Sequence, residues 1–190
     1  MAIMIKKRCA WCEGSFDDYV SYHDDEWGVP VHDDPTLFEF LILEGAQAGL
    51  SWATILKRRD GYRKAFANFD VQQVAQFDES KIQELLLDIG IIRNKLKVRG
   101  AITNANRFME VQAEFGSFSK YLWSFVNNQP IINHRATMSE VPVTTAESDA
   151  LSKDLKKRGF KFVGSTIMYA YMQACGLVND HTVDCFRYQG

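Results

Sequence analysis

The chain has 190 residues, 46% of them apolar and 13% aromatic, with a formal net charge of −2. That suffices for one sizeable core, excludes an intrinsically disordered chain, and does not by itself advertise a polybasic nucleic-acid binder. The longest apolar stretches are interrupted by charges and Met1 to Arg8 holds no run of signal-peptide length, so no membrane insertion or secretion is expected and the chain is read as cytoplasmic.

The N-terminal part is acidic: eight Asp and Glu lie between Glu13 and Asp34 with no Lys or Arg among them. Asp34-Pro35 reads as an N-cap followed by proline at the first helical position, and Leu37, Leu41 and Glu44 carry that helix to about Gly45. Gly45 and Gly49 bracket a turn, after which Trp52, Ile55 and Leu56 suggest a second helix. Ile82, Leu85, Leu86 and Ile89 keep the i, i+3, i+4, i+7 spacing, and Val98, Ile102, Ala105 and Met109 continue a similar stripe in the next segment. Tyr121 to Val126 closes another short helix, and Asn127 to Thr145, with Pro130 and Pro142, is the longest loop. Thr145 caps a helix through Leu151 and Leu155 that stops at Gly159, and a last helix spans about Thr166 to Ala174. Strands are hard to find and no repeat or linker intervenes, so one all-α domain over residues 1–190 is expected.

Four possible metal ligands stand near the two ends of the chain: Cys9 and His23, then His181 and Cys185. Two thiolates and two imidazoles suit tetrahedral Zn²⁺, and the step of four from His181 to Cys185 places both on one face of a helical turn. Such a site staples the N- and C-terminal segments together and, with every position taken by protein, is structural. Cys9-x-x-Cys12 leaves Cys12 as a rival ligand or a redox partner, while Cys175 lies in an apolar run and reads as core.

A second cluster surrounds a carboxylate. Trp11, Tyr19, Tyr22, Trp27 and Trp52 flank Glu44, which sits in an apolar run near a helix end. A carboxylate among flat π faces is what a pocket for a cationic planar base needs, by stacking, cation–π attraction and hydrogen bonds to an exocyclic amine. The alternative is an aromatic core with Glu44 facing solvent. Between the Ile82 and Val98 stripes, Gly90 permits a left-handed turn, Ile91 and Ile92 plug the hairpin into the core, and Arg93 and Lys95 arrive at the start of the next helix. Backbone N–H groups there form an anion seat, the way a helix-hairpin-helix grips a DNA phosphate, although an ordinary αα-hairpin has the same pattern.

From Arg8 to Cys185 the chain resembles the constitutive bacterial 3-methyladenine DNA glycosylases of the helix-hairpin-helix glycosylase superfamily. The resemblance is carried by YHDDEWGVP from Tyr22 to Pro30, EGAQAGLSW from Glu44 to Trp52 and GIIR from Gly90 to Arg93. It extends to WSFV from Trp123, KKRGF from Lys156 and VNDH from Val178 to His181. It implies structural zinc on Cys9, His23, His181 and Cys185, with Cys12 incidental. Glu44, Tyr22 and Trp52 become the base-recognition residues, and Trp11, Tyr19 and Trp27 further pocket walls. Gly49 and Leu50 become a wedge filling the gap left by an extruded nucleotide, and Gly90, Ile91, Ile92, Arg93 and Lys95 the phosphate clamp. One departure is Asn179, near the place where the wider superfamily carries a catalytic aspartate.

The resemblance implies hydrolytic release of 3-methyladenine from alkylated duplex DNA; with no nucleophilic lysine to assign, a monofunctional enzyme without strand cleavage is expected, and a monomer. Two other classes keep part of the pattern. A non-enzymatic DNA-binding module needs the Gly90 hairpin but not Glu44, and a zinc hydrolase would use the metal directly.

Overall fold

Among the described residues, 6–190 of the computed structural model, ten α-helices are joined by turns and loops. Residues 1–5, where most of the segment read for a leader falls, lie outside the described residues. The first helix, α1 (Asp17–Asp25), leads through an extended segment into α2 (Asp34–Gln47). Helix α2 buries Leu37, Phe38 and every residue from Phe40 to Ala46, and a helix that is apolar on nearly all sides belongs in the middle of a fold. Its N-cap is Asp33, one residue earlier than expected, whose carboxylate accepts the Thr36 N–H at 2.9 Å. Asp34 instead reaches across the core and accepts the backbone N–H groups of Phe118 and Ser119 at 2.9 and 2.8 Å. The helix also runs past Gly45, whose missing side chain admits Phe162: a Cβ there would lie 3.3 Å from the Phe162 Cβ.

Three short helices follow, α3 (Trp52–Leu56), which packs on α2, then α4 (Arg59–Ala65) and α5 (Val71–Ala75). Arg59 fastens this layer, with Nε on Glu39 at 2.6 Å and Nη1 on Glu26 at 2.7 Å. Helix α6 (Glu79–Leu87) buries Ile82 and Leu85 but ends before Ile89, which is 81% exposed. The apolar spacing therefore outruns the helix that it announces. Helix α7 (Lys95–Phe115) is the longest, and its core face holds Val98, Ala105 and Phe108, while Met109 is exposed. Gly116, at φ +85°, ends it as a left-handed C-cap.

Helix α8 (Phe118–Ser124) begins three residues before the expected short helix and ends two before it. The long loop then pairs β1 (Ile131–Ile132) in parallel with β2 (Val178–Asn179), Ile131 opposite Val178, which draws the loop to the C-terminal segment. Thr145 and Ser148 form a reciprocal capping box on α9 (Ala146–Lys157), and Gly159, at φ +92°, follows its end. Helix α10 (Ser165–Ala174) packs between α2 and α9. No described helix is long and apolar enough to cross a membrane.

Candidate functional site

Backbone hydrogen bonds place the C-terminal segment beside the N-terminal one, the Phe186 N–H donating to the Lys7 carbonyl at 2.9 Å and the Val31 N–H to the Cys175 carbonyl at 3.0 Å. Cys9, His23, His181 and Cys185 are all buried, and their ligand atoms lie within 4.8 Å of one another. Cys9 Sγ and Cys185 Sγ each stand 3.5 Å from His181 Nδ1, and Cys185 Sγ stands 3.5 Å from His23 Nε2. The segment joining His181 to Cys185 is an irregular turn, closed by the Cys185 N–H on the Thr182 carbonyl at 2.8 Å, rather than the expected helical turn. Cys12 stays outside the set and turns its Sγ to the Cys9 carbonyl at 3.3 Å.

Outer partners fix which imidazole nitrogen is available. His181 Nε2 donates to the Trp27 carbonyl at 3.0 Å, leaving the Nδ1 lone pair toward the thiols. His23 Nδ1 meets Asp24 at 2.8 Å, leaving Nε2 inward, where it accepts the Cys9 N–H at 3.3 Å, and Arg8 holds Asp24 in turn at 2.7 Å. The Arg8 hydrogen bond keeps the Asp24 carboxyl down at about 2. Burial pushes the Cys9 thiol up to about 12 and the His181 imidazole down to about 4, so both groups are held neutral. Neutral imidazoles with inward lone pairs and thiols awaiting deprotonation form a donor set for a borderline-soft dication.

Next to this cluster, the last turn of α2 delivers Glu44 into a cavity of about 250 Å³. Trp11, Tyr19, Tyr22, Trp27 and Trp52 all line it, so the five aromatic candidates and the carboxylate are brought together. Trp11 meets Tyr19 and Trp27 edge-on, each at 5.1 Å between centroids, and Tyr22 lies 5.2 Å from Trp52. Glu44 is 3% exposed and its Oε2 has no hydrogen-bond partner; the indole N–H groups of Trp11 and Trp52 also lack one. Burial alone raises the Glu44 carboxyl from 4.5 to about 8. Three unpartnered polar atoms on residues of one aromatic cavity constitute an unsatisfied recognition surface, because buried polar groups otherwise find partners.

Gln47, Met138, Val141, Ala170 and Gln173 complete the walls. Gln47 stands three residues after Glu44 on α2, so helical spacing could have found it. Met138 opens a single 3₁₀ turn and Val141 follows it, within the long loop after α8, where no apolar periodicity marks them.

A second cavity of about 220 Å³ shares Glu44 and Gln47 and is also lined by Gly49 and Leu50. Gly49 adopts φ +77° and presents Leu50, 41% exposed, at the tip of the turn. Lys97 anchors this turn from α7, donating to the carbonyls of Ala46 and Ala48 at 2.8 and 2.7 Å.

Lys97 also sits just beyond the Gly90 hairpin. Gly90 is not left-handed, contrary to expectation; its N–H is held by Asp88 Oδ1 at 2.7 Å. Its environment is instead one of close approach, since a Cβ on Gly61 of α4 would fall 2.3 Å from the Gly90 carbonyl oxygen. Ile91 is buried and Ile92 half-buried, the Ile92 N–H donating to the Tyr62 hydroxyl at 3.2 Å. Asn94 caps α7 through Leu96 and Lys97, and Arg93 and Lys95 remain exposed at the helix entrance.

Comparison with known proteins identifies the family. Residues 11–188 match the family model for methyladenine glycosylase. DNA-3-methyladenine glycosylase 1 of Escherichia coli is 51% identical over 185 residues, 97% of this chain and 98% of that one. A crystal structure of 3-methyladenine DNA glycosylase I superposes with a TM-score of 0.93 at 48% identity, covering 96% of this chain and 100% of the other. A variant of 3-methyladenine DNA glycosylase I in complex with 3-methyladenine gives 0.92 at 35% identity, over 96% of this chain and 98% of that one. By model match, sequence identity and superposition together, the chain belongs to the methyladenine glycosylase family.

Proposed function

We propose that the protein is a DNA-3-methyladenine glycosylase that extrudes the alkylated nucleotide from duplex DNA and hydrolyses its N-glycosidic bond, the first step of base-excision repair. The observation that carries this reading is the buried, unpartnered carboxylate of Glu44 inside an aromatic cavity. The names of the relatives support it.

Adenine alkylated at N3 is already a cation and leaves as a neutral base, so the chemistry needs no separate protonation of the leaving group. The protein's contribution is extrusion, recognition and admission of water, at a cost of a few kcal/mol of unstacking. Glu44 accepts from the adenine amino edge and answers its positive charge, which draws the carboxyl from its neutral form toward the anion. Trp52 stacks, Tyr22 orients, and Trp11, Tyr19 and Trp27 enclose the ring. No lysine lines the cavity among the described residues, which supports a monofunctional enzyme without strand cleavage. Asp180 is an unsuitable base for the attacking water, because it is fully buried and engaged by four donors.

On the duplex, Leu50 on its Gly49 turn fills the gap left by the extruded nucleotide. The Gly90 to Lys95 hairpin seats a phosphate at the entrance of α7, with Arg93 and Lys95 supplying charge. Cys9, His23, His181 and Cys185 would hold a zinc ion that, with all four positions supplied by protein, would join the terminal segments rather than activate water. The enzyme works as a cytoplasmic monomer.

Incubation of the purified chain with methylated DNA, followed by chromatography of the released bases, tests this function. Free 3-methyladenine without strand scission is the expected product, and Glu44→Ala lowers both its release and the affinity for the free base. DNA binding without release would leave only the helix-hairpin-helix binding module.

A further inference from the structure

Asp180, which follows β2, is the acceptor for four side chains at once. On Oδ1 it receives Asn133 Nδ2 at 2.8 Å and Arg135 Nε at 3.2 Å; on Oδ2 it receives the Tyr169 hydroxyl and, at 2.8 Å, Gln173 Nε2. A carboxylate paired with a guanidinium accepts only, so the Gln173 group facing it is the amide NH₂. The flipped amide would press two acceptors together. The carbonyl end of Gln173 is therefore turned away from Asp180, on a half-buried side chain that lines the same cavity as Glu44. No group among the described residues donates to it. The backbone beneath is fixed as well, for the Gln173 carbonyl accepts the Gly28 N–H at 2.9 Å.

We propose that Gln173 is a specificity-determining residue whose Oε1 accepts one N–H of the purine 6-amino group while Glu44 accepts the other, with Asp180 as its positioning residue. This rests on the glycosylase reading above. Two acceptors in one cavity fit an exocyclic amine, which has two hydrogens to give. A 6-oxo purine brings a third acceptor against them and leaves all three unpaired, and a buried site built for hydrogen bonds rejects partners that cannot make them.

The test is binding of free 3-methyladenine and of its analogue carrying one methyl on the exocyclic amine, followed by NMR, in the wild-type protein, Gln173→Met and Asp180→Asn. The wild type is expected to bind the analogue at least about tenfold more weakly, since one hydrogen bond is lost. In Gln173→Met the affinity for 3-methyladenine drops by about tenfold and the analogue's penalty largely disappears. In Asp180→Asn the amide is no longer held in one orientation, and the ratio of the two affinities falls toward the Gln173→Met value. An equal penalty in wild type and Gln173→Met overturns the assignment, and an unchanged ratio in Asp180→Asn overturns the positioning role. If neither variant folds, the side-chain amide resonances of Gln173 in the wild type decide: they move on adding 3-methyladenine, and unmoved resonances overturn the proposal. A wild type that binds 3-methyladenine but ignores the amine methyl sinks this inference alone, whereas one that binds neither base and releases none from DNA sinks the glycosylase reading with it.

Discussion

The imidazole of His181 stands edge-on to the indole of Trp27, with ring centroids 4.6 Å apart, while its Nε2 donates to the carbonyl of the same residue. His23 meets Trp11 in the same way at 5.2 Å. Two prospective metal ligands thus touch two walls of the Glu44 cavity, and Gly28 beside Trp27 packs so closely that a Cβ there would lie 3.2 Å from the His181 ring. Order in the ligand cluster and order in the cavity are consequently one mechanical property.

Removing the metal should therefore disturb binding and stability together. Stripping zinc with a chelator, or replacing Cys185 by Ala, is expected to lower unfolding stability by at least about 3 kcal/mol and to change the indole fluorescence contributed by Trp11 and Trp27. Affinity for the free base should fall in step with the melting temperature. Activity lost at an unaltered melting temperature would instead point to a metal that takes part in hydrolysis.

The buried Glu44 carboxyl gives stability a specific pH dependence. Its folded value, about 8, lies above its ordinary 4.5, so between these two the folded protein keeps a proton that the unfolded chain has released. Stability from this group accordingly declines as pH rises from about 4.5 to about 8 and is level above that. The slope approaches about 1.4 kcal/mol per pH unit at most, for a total of a few kcal/mol. Glu44→Gln, neutral at every pH, should remove that decline, as denaturant unfolding at pH 5 and pH 8.5 would reveal. Parallel curves for the two proteins would show that the carboxyl is not shielded from water.

These features were unequally legible in the amino-acid sequence, and the difference follows the range of the forces involved. The Thr145 cap, the Gly159 stop and the amphipathic start of α7 are local and could be read within a turn or two of chain. Ile89 misleads because its spacing fits the α6 stripe, while the chain turns at Asp88 to meet the hairpin and leaves Ile89 in solvent. Gly90 misleads for the opposite reason: its constraint is the approach of Gly61 from another helix, which no neighbour in sequence announces. The cavity was half legible. Glu44 and the aromatics occupy segments whose composition draws attention, whereas Met138 and Val141 enter from the long loop and Gln173 from α10, brought to the cavity by tertiary packing.

The contact between Gly61 and Gly90 makes the hairpin testable without touching its charges. Gly61→Ala would force a Cβ to 2.3 Å from a backbone oxygen that has no flexible end to swing away. A loss of about 1–3 kcal/mol in stability is expected, together with weaker DNA binding as the hairpin is displaced. Arg93→Ala and Lys95→Ala should leave stability within about 0.5 kcal/mol, since both are exposed. Each should instead reduce the salt dependence of DNA affinity by about one counterion. An unchanged salt slope in both would place the phosphate contact elsewhere on the surface.

Leu50 offers the sharpest separation between handling a duplex and recognising a base. It is 41% exposed at the tip of a turn, so Leu50→Ala should cost about 0.5 kcal/mol or less of folding stability. It shares the 220 Å³ cavity with Glu44 but is absent from the aromatic walls of the larger one, so affinity for free 3-methyladenine should hold within about twofold. Excision from duplex DNA should fall by roughly tenfold or more, because the side chain that fills the vacated stack is gone and unstacking is no longer offset. Excision from single-stranded DNA, which has no partner strand to hold open, should be nearly unaffected. Gly49→Ala reaches a related end by a different route: φ +77° is unfavourable for a residue with a Cβ, so the turn that aims Leu50 is strained even though nothing lies within 4 Å of the added atom. The pair of variants is informative together, since loss of duplex excision in both, with base binding retained in both, assigns the effect to the wedge. Loss of free-base binding in Leu50→Ala would show that the tip shapes the cavity itself.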